Sequence, residues 1–251
     1  MIKVKKILAV VFASLLIAGS YVNTLSAKEV RIAILDSGAS KYVDHAVSFT
    51  NIRADQDPMG HGTAIAQLIR RGNPTSEIYM LQVCENEGGE FKPSAKAIKS
   101  AILWAVENKI DLINMSLVIA YDPEIDQLIS RAVKENGIIF VAASGNIPIS
   151  GRFRFDSQGN VYKNNAASEK VINFPASNPN VISVGGLQKN GRIAGYSPKI
   201  CDIFADGRIA GQEGSSFASA RIAGKLTHLV ASQSPAGVNI SKSTLLSLLA
   251  E

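Results

Sequence analysis

Short apolar runs of strand length alternate with amphipathic segments along most of the chain. The apolar runs lie at residues 30–35, 78–83, 112–118, 138–142 and 181–184. Segments whose apolar residues recur at helical spacing lie between them, at residues 63–71 and 94–107. Strands that alternate with helices are typical of βαβ units, in which helices cover both faces of a mostly parallel sheet. The pattern therefore predicts an α/β fold with three layers and a doubly wound, mostly parallel sheet.

A further helix is marked by the residues at its two ends. Asp122 can accept hydrogen bonds from the first N–H groups of a helix, and Pro123 suits the first turn. Gly137 favours a helix end, because glycine readily adopts the left-handed conformation found there. No internal repeat or low-complexity linker interrupts the sequence, so we expect one domain from residue 28 to residue 251.

The first 27 residues have the layout of a secretory signal peptide. Three lysines precede an uncharged apolar run at residues 7–19, and small and polar residues follow up to Ala27. The apolar run is shorter than the roughly 20 residues that a membrane-spanning helix needs. We therefore predict cleavage after Ala27, with cleavage after Ser20 and a retained anchor as alternatives. The mature protein is expected to be exported, to the periplasm or the medium, without stable membrane association.

Composition and charge narrow the class of partner. The chain is 46% hydrophobic and 19% charged, which is ordinary for a globular protein. Its formal net charge is +5, but three lysines and no acidic residue fall in the predicted signal peptide, which leaves +2 for residues 28–251. No dense basic cluster is present, so we expect no nucleic-acid partner, and we expect a monomer.

Cysteine and histidine usage gives no sign of a metal or another cofactor. The three histidines show no ligand spacing with Cys84 and Cys201. Export would permit a disulfide. Both cysteines nevertheless lie in apolar, strand-like segments, where free cysteine commonly packs as a small apolar side chain. We therefore expect no metal site and no cofactor, and we favour free thiols over a disulfide.

Four polar residues stand at ends of predicted strands or starts of predicted helices. Asp36 and Asn146 each come just after an apolar strand. His61 lies between two glycines at a helix start, and Ser216 opens another helical segment. Taken singly, each has a structural interpretation, as a turn residue, a buried histidine or a helix cap. Together they supply a hydroxyl nucleophile, a base, a carboxylate to orient the base and an oxyanion donor, and active residues gather at such strand ends.

The segments around these residues resemble those of the subtilisin-like serine proteases. The resembling segments are 34–38 around Asp36, 61–63 at His61, 143–146 before and at Asn146, and 214–218 around Ser216. The order Asp, His, Ser is also the family's order. The resemblance implies a subtilisin-like fold and a serine endopeptidase with Asp36, His61 and Ser216 as its triad. Asn146 would then help to hold the oxyanion.

The same resemblance implies where a polypeptide substrate binds. Ser116, Leu117 and Val118 match the segment that pairs with the substrate backbone, and Gly88 and Gly89 match the segment on its other side. The family often has two glycines where this chain has Val118 and Ile119. We therefore expect a shallower specificity pocket, which prefers small residues before the cleaved bond.

Other departures keep alternatives open. The segment after His61 is short and lacks the loop that binds calcium in many relatives, and the strand before Asp36 starts close to the predicted cleavage site. We expect the domain to fold alone; an inhibitor-like protein or chaperone acting in trans is the alternative. A catalytically weak or inactive domain that binds peptides or proteins is the other functional interpretation. An esterase or amidase using the same site is a third.

Overall fold

The computed structural model describes residues 29–147, 153–155, 161–163, 171–233 and 240–250. The predicted signal peptide, residues 1–27, lies outside the described residues. The strands, in chain order, are β1 (Arg31–Asp36), β2 (His45–Ser48), β3 (Glu77–Gln82), β4 (Cys84–Glu87), β5 (Glu90–Pro93), β6 (Leu112–Met115), β7 (Ile139–Ala143), β8 (Phe153–Phe155), β9 (Val161–Lys163), β10 (Val181–Leu187), β11 (Ile203–Asp206), β12 (Arg208–Ile209) and β13 (Gln212–Glu213). The helices are α1 (His61–Gly72), α2 (Ala95–Glu107), α3 (Pro123–Asn136), α4 (Ser215–Gln233) and α5 (Lys242–Ala250).

Seven strands form one parallel sheet in the order β11-β10-β7-β6-β1-β3-β2. Every neighbouring pair in it is parallel. The remaining short strands form the antiparallel pairs β4–β5, β8–β9 and β12–β13. The predicted α/β fold with a mostly parallel sheet is therefore confirmed.

The five inner strands of the sheet supply side chains to two separate cores. In β1, Ala33 and Leu35 join the core that packs against α2 and α3. Ile32 and Ile34 point the other way and join the core that packs against α1 and α4. Alternation follows from the two-residue period of a strand. Because both faces are covered, residues 32–35 of β1 are all apolar. This explains why the strands appear in the sequence as continuous apolar runs.

The ends of α3 lie where the sequence predicts them. Oδ1 of Asp122 accepts hydrogen bonds from the N–H groups of Glu124 and Ile125 at 2.9 and 3.2 Å. Gly137 follows the helix with a φ of 69°, the left-handed conformation expected there. Among the described residues, no helix combines the length and apolar character that crossing a membrane requires.

Two predicted strands differ from the observed ones. The strand predicted over residues 112–118 ends at Met115. Beyond that residue neither β1 nor β7 continues alongside it, because β1 pairs with β6 only as far as Asn114 and β7 as far as Met115. Cys201, expected within a strand, precedes β11, which begins at Ile203.

The order in which strands are added to the sheet reverses at its centre, between β1 and β6. After β1 the chain forms β2 and β3 on one side of it, with β3 next to β1. It then forms β6, β7, β10 and β11 on the other side. In open parallel sheets, the crevice at the carboxyl ends of the strands flanking such a point is where ligands bind. Asp36 ends β1 and Ser116 follows β6, so both lie at this crevice.

Candidate active site

Asp36 and His61 form a direct pair at the carboxyl end of β1. Nδ1 of His61 lies 2.8 Å from Oδ1 of Asp36. The Asp36 side chain is 4% exposed and that of His61 26%, so the imidazole faces the crevice while its partner is covered. The charge of Asp36 is the largest influence on His61 and raises the pKa of its imidazole. Burial opposes this, and the hydrogen bond to Asp36 and the charge of Asp57 add to it, so the pKa stays above its ordinary value.

Glycines allow the backbone segments that carry the pair to pack in direct contact. A Cβ on Gly62 would lie 2.1 Å from the carbonyl oxygen of Gly38. A Cβ on Gly38, whose φ is +114°, would lie 1.9 Å from the carbonyl oxygen of Gln56. Side chains at either position would force these segments apart. The glycine that follows His61 in the sequence is thus required by the close approach of two backbones.

Ser216 lies at the start of α4, one residue after the helix begins at Ser215. Its N–H and hydroxyl are therefore in the partial positive field of a helix N-terminus. The hydroxyl donates to the carbonyl oxygen of Ser116 at 3.0 Å. No hydrogen bond joins the Ser216 hydroxyl to His61, although the structure describes both residues. The ring of Phe217, the next residue, lies 5.9 Å from the imidazole, centroid to centroid.

A buried polar network links the start of α4 to the end of β6. Oγ of Ser116 donates to the carbonyl oxygen of Ser216 at 2.9 Å and lies 2.9 Å from Oγ of Ser219. Nδ2 of Asn114 donates to Oγ of Ser116 at 2.9 Å. Hydrogen bonds thus run in both directions between Ser116 and Ser216, and they fix the backbone of Ser216 against the sheet.

Asn146 follows β7 and contacts the start of α4. Its Oδ1 accepts hydrogen bonds from the N–H of Ser215 at 2.9 Å and from the Ser215 hydroxyl at 3.0 Å. This fixes the amide so that Nδ2 lies on the side of Gly214, where a Cβ would be only 3.1 Å away. The donor end of the exposed Asn146 side chain therefore stands beside the turn that leads to Ser216.

A cavity of about 210 Å³ lies between the histidine and the segment after β6. It is lined by Asp36, Met59, His61, Cys84, Phe91, Pro93, Ser116, Leu117 and Val118. The predicted substrate-binding residues Ser116, Leu117 and Val118 thus share one cavity with Asp36 and His61. Gly88 and Gly89 form the exposed turn between β4 and β5 and do not line it.

Cys84 is a cavity residue that the sequence interpretation missed as part of the site. Both cysteines are free, Cys84 buried and Cys201 half-buried. Burial, followed by the charges of Asp36 and Asp57, raises the pKa of the Cys84 thiol to about 12. It is therefore a neutral wall residue and no competing nucleophile. Its position at the end of an apolar run was the available signal, since Asp36 also stands at the end of such a run.

Ser37 and Asp57 were missed as well. Ser37 follows Asp36 and its hydroxyl reaches both carboxylates, at 3.1 Å from Oδ1 of Asp36 and 2.8 Å from Oδ1 of Asp57. Asp57 stands four residues before His61 in an irregular segment, so no periodicity marks it.

Among the described residues, no group of three or more acidic, histidine or cysteine side chains is arranged to hold a metal ion.

Known proteins are similar to this chain in sequence. The model of the subtilase family, also called peptidase S8, matches residues 27–249. The chain is 28% identical to the minor extracellular protease Epr of Bacillus subtilis (strain 168), over 69% of this chain and 26% of that protein. It is also 28% identical to a thermostable alkaline protease of Halalkalibacterium halodurans, over 88% of this chain and 63% of that protein. The chain thus spans less than two thirds of the length of both relatives.

The fold is also shared with solved structures. A cold adapted subtilisin-like serine proteinase superposes with a TM-score of 0.68 at 19% identity. The superposition covers 92% of this chain and 84% of that one.

Proposed function

Because this chain belongs to the subtilase family, we propose that it is an exported serine endopeptidase with Asp36, His61 and Ser216 as its catalytic triad. The observation that carries the proposal is the 2.8 Å contact between the imidazole of His61 and the buried carboxylate of Asp36. This pair borders the same cavity as Ser116, whose carbonyl accepts the Ser216 hydroxyl. A base oriented by a carboxylate beside a helix-start serine is the arrangement that acyl transfer requires.

The reaction proceeds in two steps, acylation of Ser216 and hydrolysis of the acyl-enzyme. Oγ of Ser216 attacks the carbonyl carbon of the peptide bond, and its proton passes to Nε2 of His61. When the C–N bond breaks, that proton goes to the leaving amine, and an acyl-enzyme remains on Ser216. Water then attacks the ester carbonyl and passes a proton to His61. His61 returns that proton to Oγ of Ser216 as the ester bond breaks and the acid product leaves. Asp36 accepts a hydrogen bond from Nδ1–H of His61 throughout and stabilises the imidazolium.

The Ser216 hydroxyl must turn before this can happen. It now donates to the carbonyl of Ser116, and proton transfer requires it to donate to His61 instead. Catalytic hydrogen bonds are often incomplete without substrate and tighten when it binds. The Ser116 hydroxyl meanwhile holds the backbone of Ser216 through its carbonyl oxygen.

The segment after β6 is the surface we assign to the substrate backbone. Ser116, Leu117 and Val118 lie beyond the last residues of β6 that pair with β1 and β7, so this segment can pair with an extended peptide. Val118 is 42% exposed and lines the cavity beside His61. Digestion of casein by the purified mature protein, with new amino termini appearing, tests the proposal. A protein that hydrolyses only small esters would contradict it.

One observation favours a second function, an inactive domain that binds peptides. The Ser216 hydroxyl contacts Ser116, and no hydrogen bond between His61 and Ser216 is present in the described part of the chain. A domain locked in this state would bind a peptide along Ser116–Val118 without cleaving it. Reaction with a fluorophosphonate, which modifies activated serines, separates the two functions.

We assign the oxyanion site to the amide of Asn146 and the N–H of Ser216. Asn146→Asp is expected to lower kcat about 10²–10³-fold, because it keeps an oxygen to accept from Ser215 but loses the donor. The kcat of peptide hydrolysis is the measurement. Asn146→Ala should lose as much, and the exposed Asn51→Ala should lose nothing. Wild-type kcat in Asn146→Asp would mean that the donor lies elsewhere.

Export is inferred from the first 27 residues. The basic start and uncharged apolar run have the layout of a cleaved signal. We expect amino-terminal sequencing of the protein from the periplasm or medium to begin at Lys28, or at Tyr21 if cleavage follows Ser20. Recovery of the protein only inside the cell, with its first residues intact, would contradict export.

A further inference from the structure

We propose that Asp57 is a positioning residue for His61, which fixes the first turn of α1 and places a second carboxylate beside that of Asp36. This inference rests on the proposed function, because it assigns His61 the role of the base. It concerns a side chain that the triad itself does not include. The argument starts from the way in which α1 begins.

Helix α1 begins at His61 without a conventional cap. The preceding residue, Gly60, has a φ of 67° and no side chain to accept from the first N–H groups. Such groups need partners when they are buried. Here Oδ2 of Asp57 accepts from the N–H of Thr63 at 2.7 Å, and Oγ of Ser37 accepts from the N–H of Gly62 at 3.2 Å. Asp57 and Ser37 therefore perform the capping that residue 60 does not.

Ser37 joins Asp57 to the catalytic pair. Its hydroxyl has a single proton but two carboxylate oxygens within reach, Oδ1 of Asp57 at 2.8 Å and Oδ1 of Asp36 at 3.1 Å. The shorter distance assigns the proton mainly to Asp57. Both oxygens of Asp57 are thereby engaged, one with Ser37, the residue after Asp36, and the other with the helix that carries His61. Asp57 thus clamps the two elements whose relative position sets the contact between Asp36 and His61.

The charge of Asp57 acts in the same direction as that of Asp36. Around His61, β1 contributes Asp36, the segment before α1 contributes Asp57, and β4 contributes the neutral thiol of Cys84. Phe217 and Ser216, at the start of α4, carry no charge. Both carboxylates favour the protonated imidazole, so the charge of Asp57 raises the pKa of His61. Because only neutral imidazole can accept the serine proton, removal of this charge lets the base work at lower pH.

The test is a titration of His61 in Asp57→Asn, which keeps the side-chain shape and an acceptor oxygen but removes the charge. The chain contains three histidines, so labelled-histidine NMR resolves each ring, and His61→Gln identifies the signal of His61. In a Ser216→Ala background, which prevents self-digestion, the pKa of His61 should be lower in Asp57→Asn than in the parent. Asp55→Asn is the matched control, since Asp55 lies two residues away, is exposed and pairs with Arg53. An unchanged pKa in Asp57→Asn would overturn the proposal.

A second variant tests the clamp. With Ser216 restored, Asp57→Ala should lower the pH-independent rate of fluorophosphonate labelling by about tenfold to a hundredfold, because it frees the turn that orients the base. Labelling at the parent rate by a folded Asp57→Ala protein would overturn this role. If Asp57→Ala does not fold, the titration of Asp57→Asn decides. If the parent protein does not label at all, the proposed function fails, while the titration still decides whether Asp57 acts on His61.

Discussion

Replacement of Ser216 by alanine is expected to reduce kcat for peptide hydrolysis by about 10⁶-fold, the size known for loss of the nucleophile in a subtilisin. The reason is that no acyl-enzyme can form without its oxygen. The fold should be unaffected, because within the described part of the chain the hydroxyl makes one hydrogen bond, to the carbonyl of Ser116. The backbone of Ser216 is fixed through its own carbonyl, which accepts from Ser116 and Ser219. Casein digestion and thermal unfolding measure the two effects.

Neighbouring serines provide the control for this prediction. The hydroxyl of Ser215 donates to Oδ1 of Asn146, and that of Ser219 donates to the carbonyl of Ser216. Both serines are fully buried, so neither hydroxyl is open to a substrate. Ser215→Ala and Ser219→Ala should therefore remain measurably active. If Ser216→Ala still digests casein while Ser215→Ala or Ser219→Ala does not, Ser216 is not the nucleophile.

Asp36→Asn is expected to reduce kcat by about 10⁴-fold while leaving the side-chain volume unchanged. Asp36 accepts from Nδ1 of His61 at 2.8 Å, which holds the ring proton on Nδ1 and leaves Nε2 free to take the serine proton. An amide in its place can present its NH₂ group to Nδ1, which moves the ring proton to Nε2 and blocks the base. The asparagine also removes the largest influence that raises the pKa of His61, so this pKa should fall. Steady-state kinetics and the His61 titration measure the two effects.

Asp44, the residue before β2, offers a comparison. It accepts from Arg70 and from the N–H of Ile78, so Asp44→Asn also removes a carboxylate with structural hydrogen bonds. That change should affect thermal stability and leave kcat close to that of the parent. Comparable losses of kcat in Asp44→Asn and Asp36→Asn would indicate a general loss of structure. Activity of Asp36→Asn near that of the parent would remove Asp36 from the mechanism.

The sequence predicts the parallel sheet well because the strands are buried on both faces. Residues 32–35 of β1 and 78–81 of β3 are uninterrupted apolar runs, which mark these strands without reference to their partners. The edge strand β2 was not predicted. Its four residues, His-Ala-Val-Ser, are mostly exposed, and its structure comes from pairing with β3. Edge strands of this kind depend on a neighbour that a local pattern does not reveal.

The sequence likewise predicts some parts of the candidate site and not others. Asp36, His61, Asn146 and Ser216 lie at the ends of predicted elements, where the arrangement of a parallel sheet brings side chains to one edge. The clamp made by Ser37 and Asp57 depends on a contact between residues twenty positions apart, in a segment without regular structure. The direction of the Ser216 hydroxyl is equally beyond a sequence pattern, because rotation about a single bond sets it. Such contacts come from tertiary packing and not from local propensity.

Fluorophosphonate labelling of the mature protein, followed by mass spectrometry of its peptides, tests the central claim most directly. The reagent forms a bond only with a serine whose proton a neighbouring base can take. We predict a single modified residue, Ser216, with modification lost when His61 is replaced by glutamine. A protein that stays unmodified, or one that is modified at another serine, would contradict the assignment of Asp36, His61 and Ser216 as a working triad.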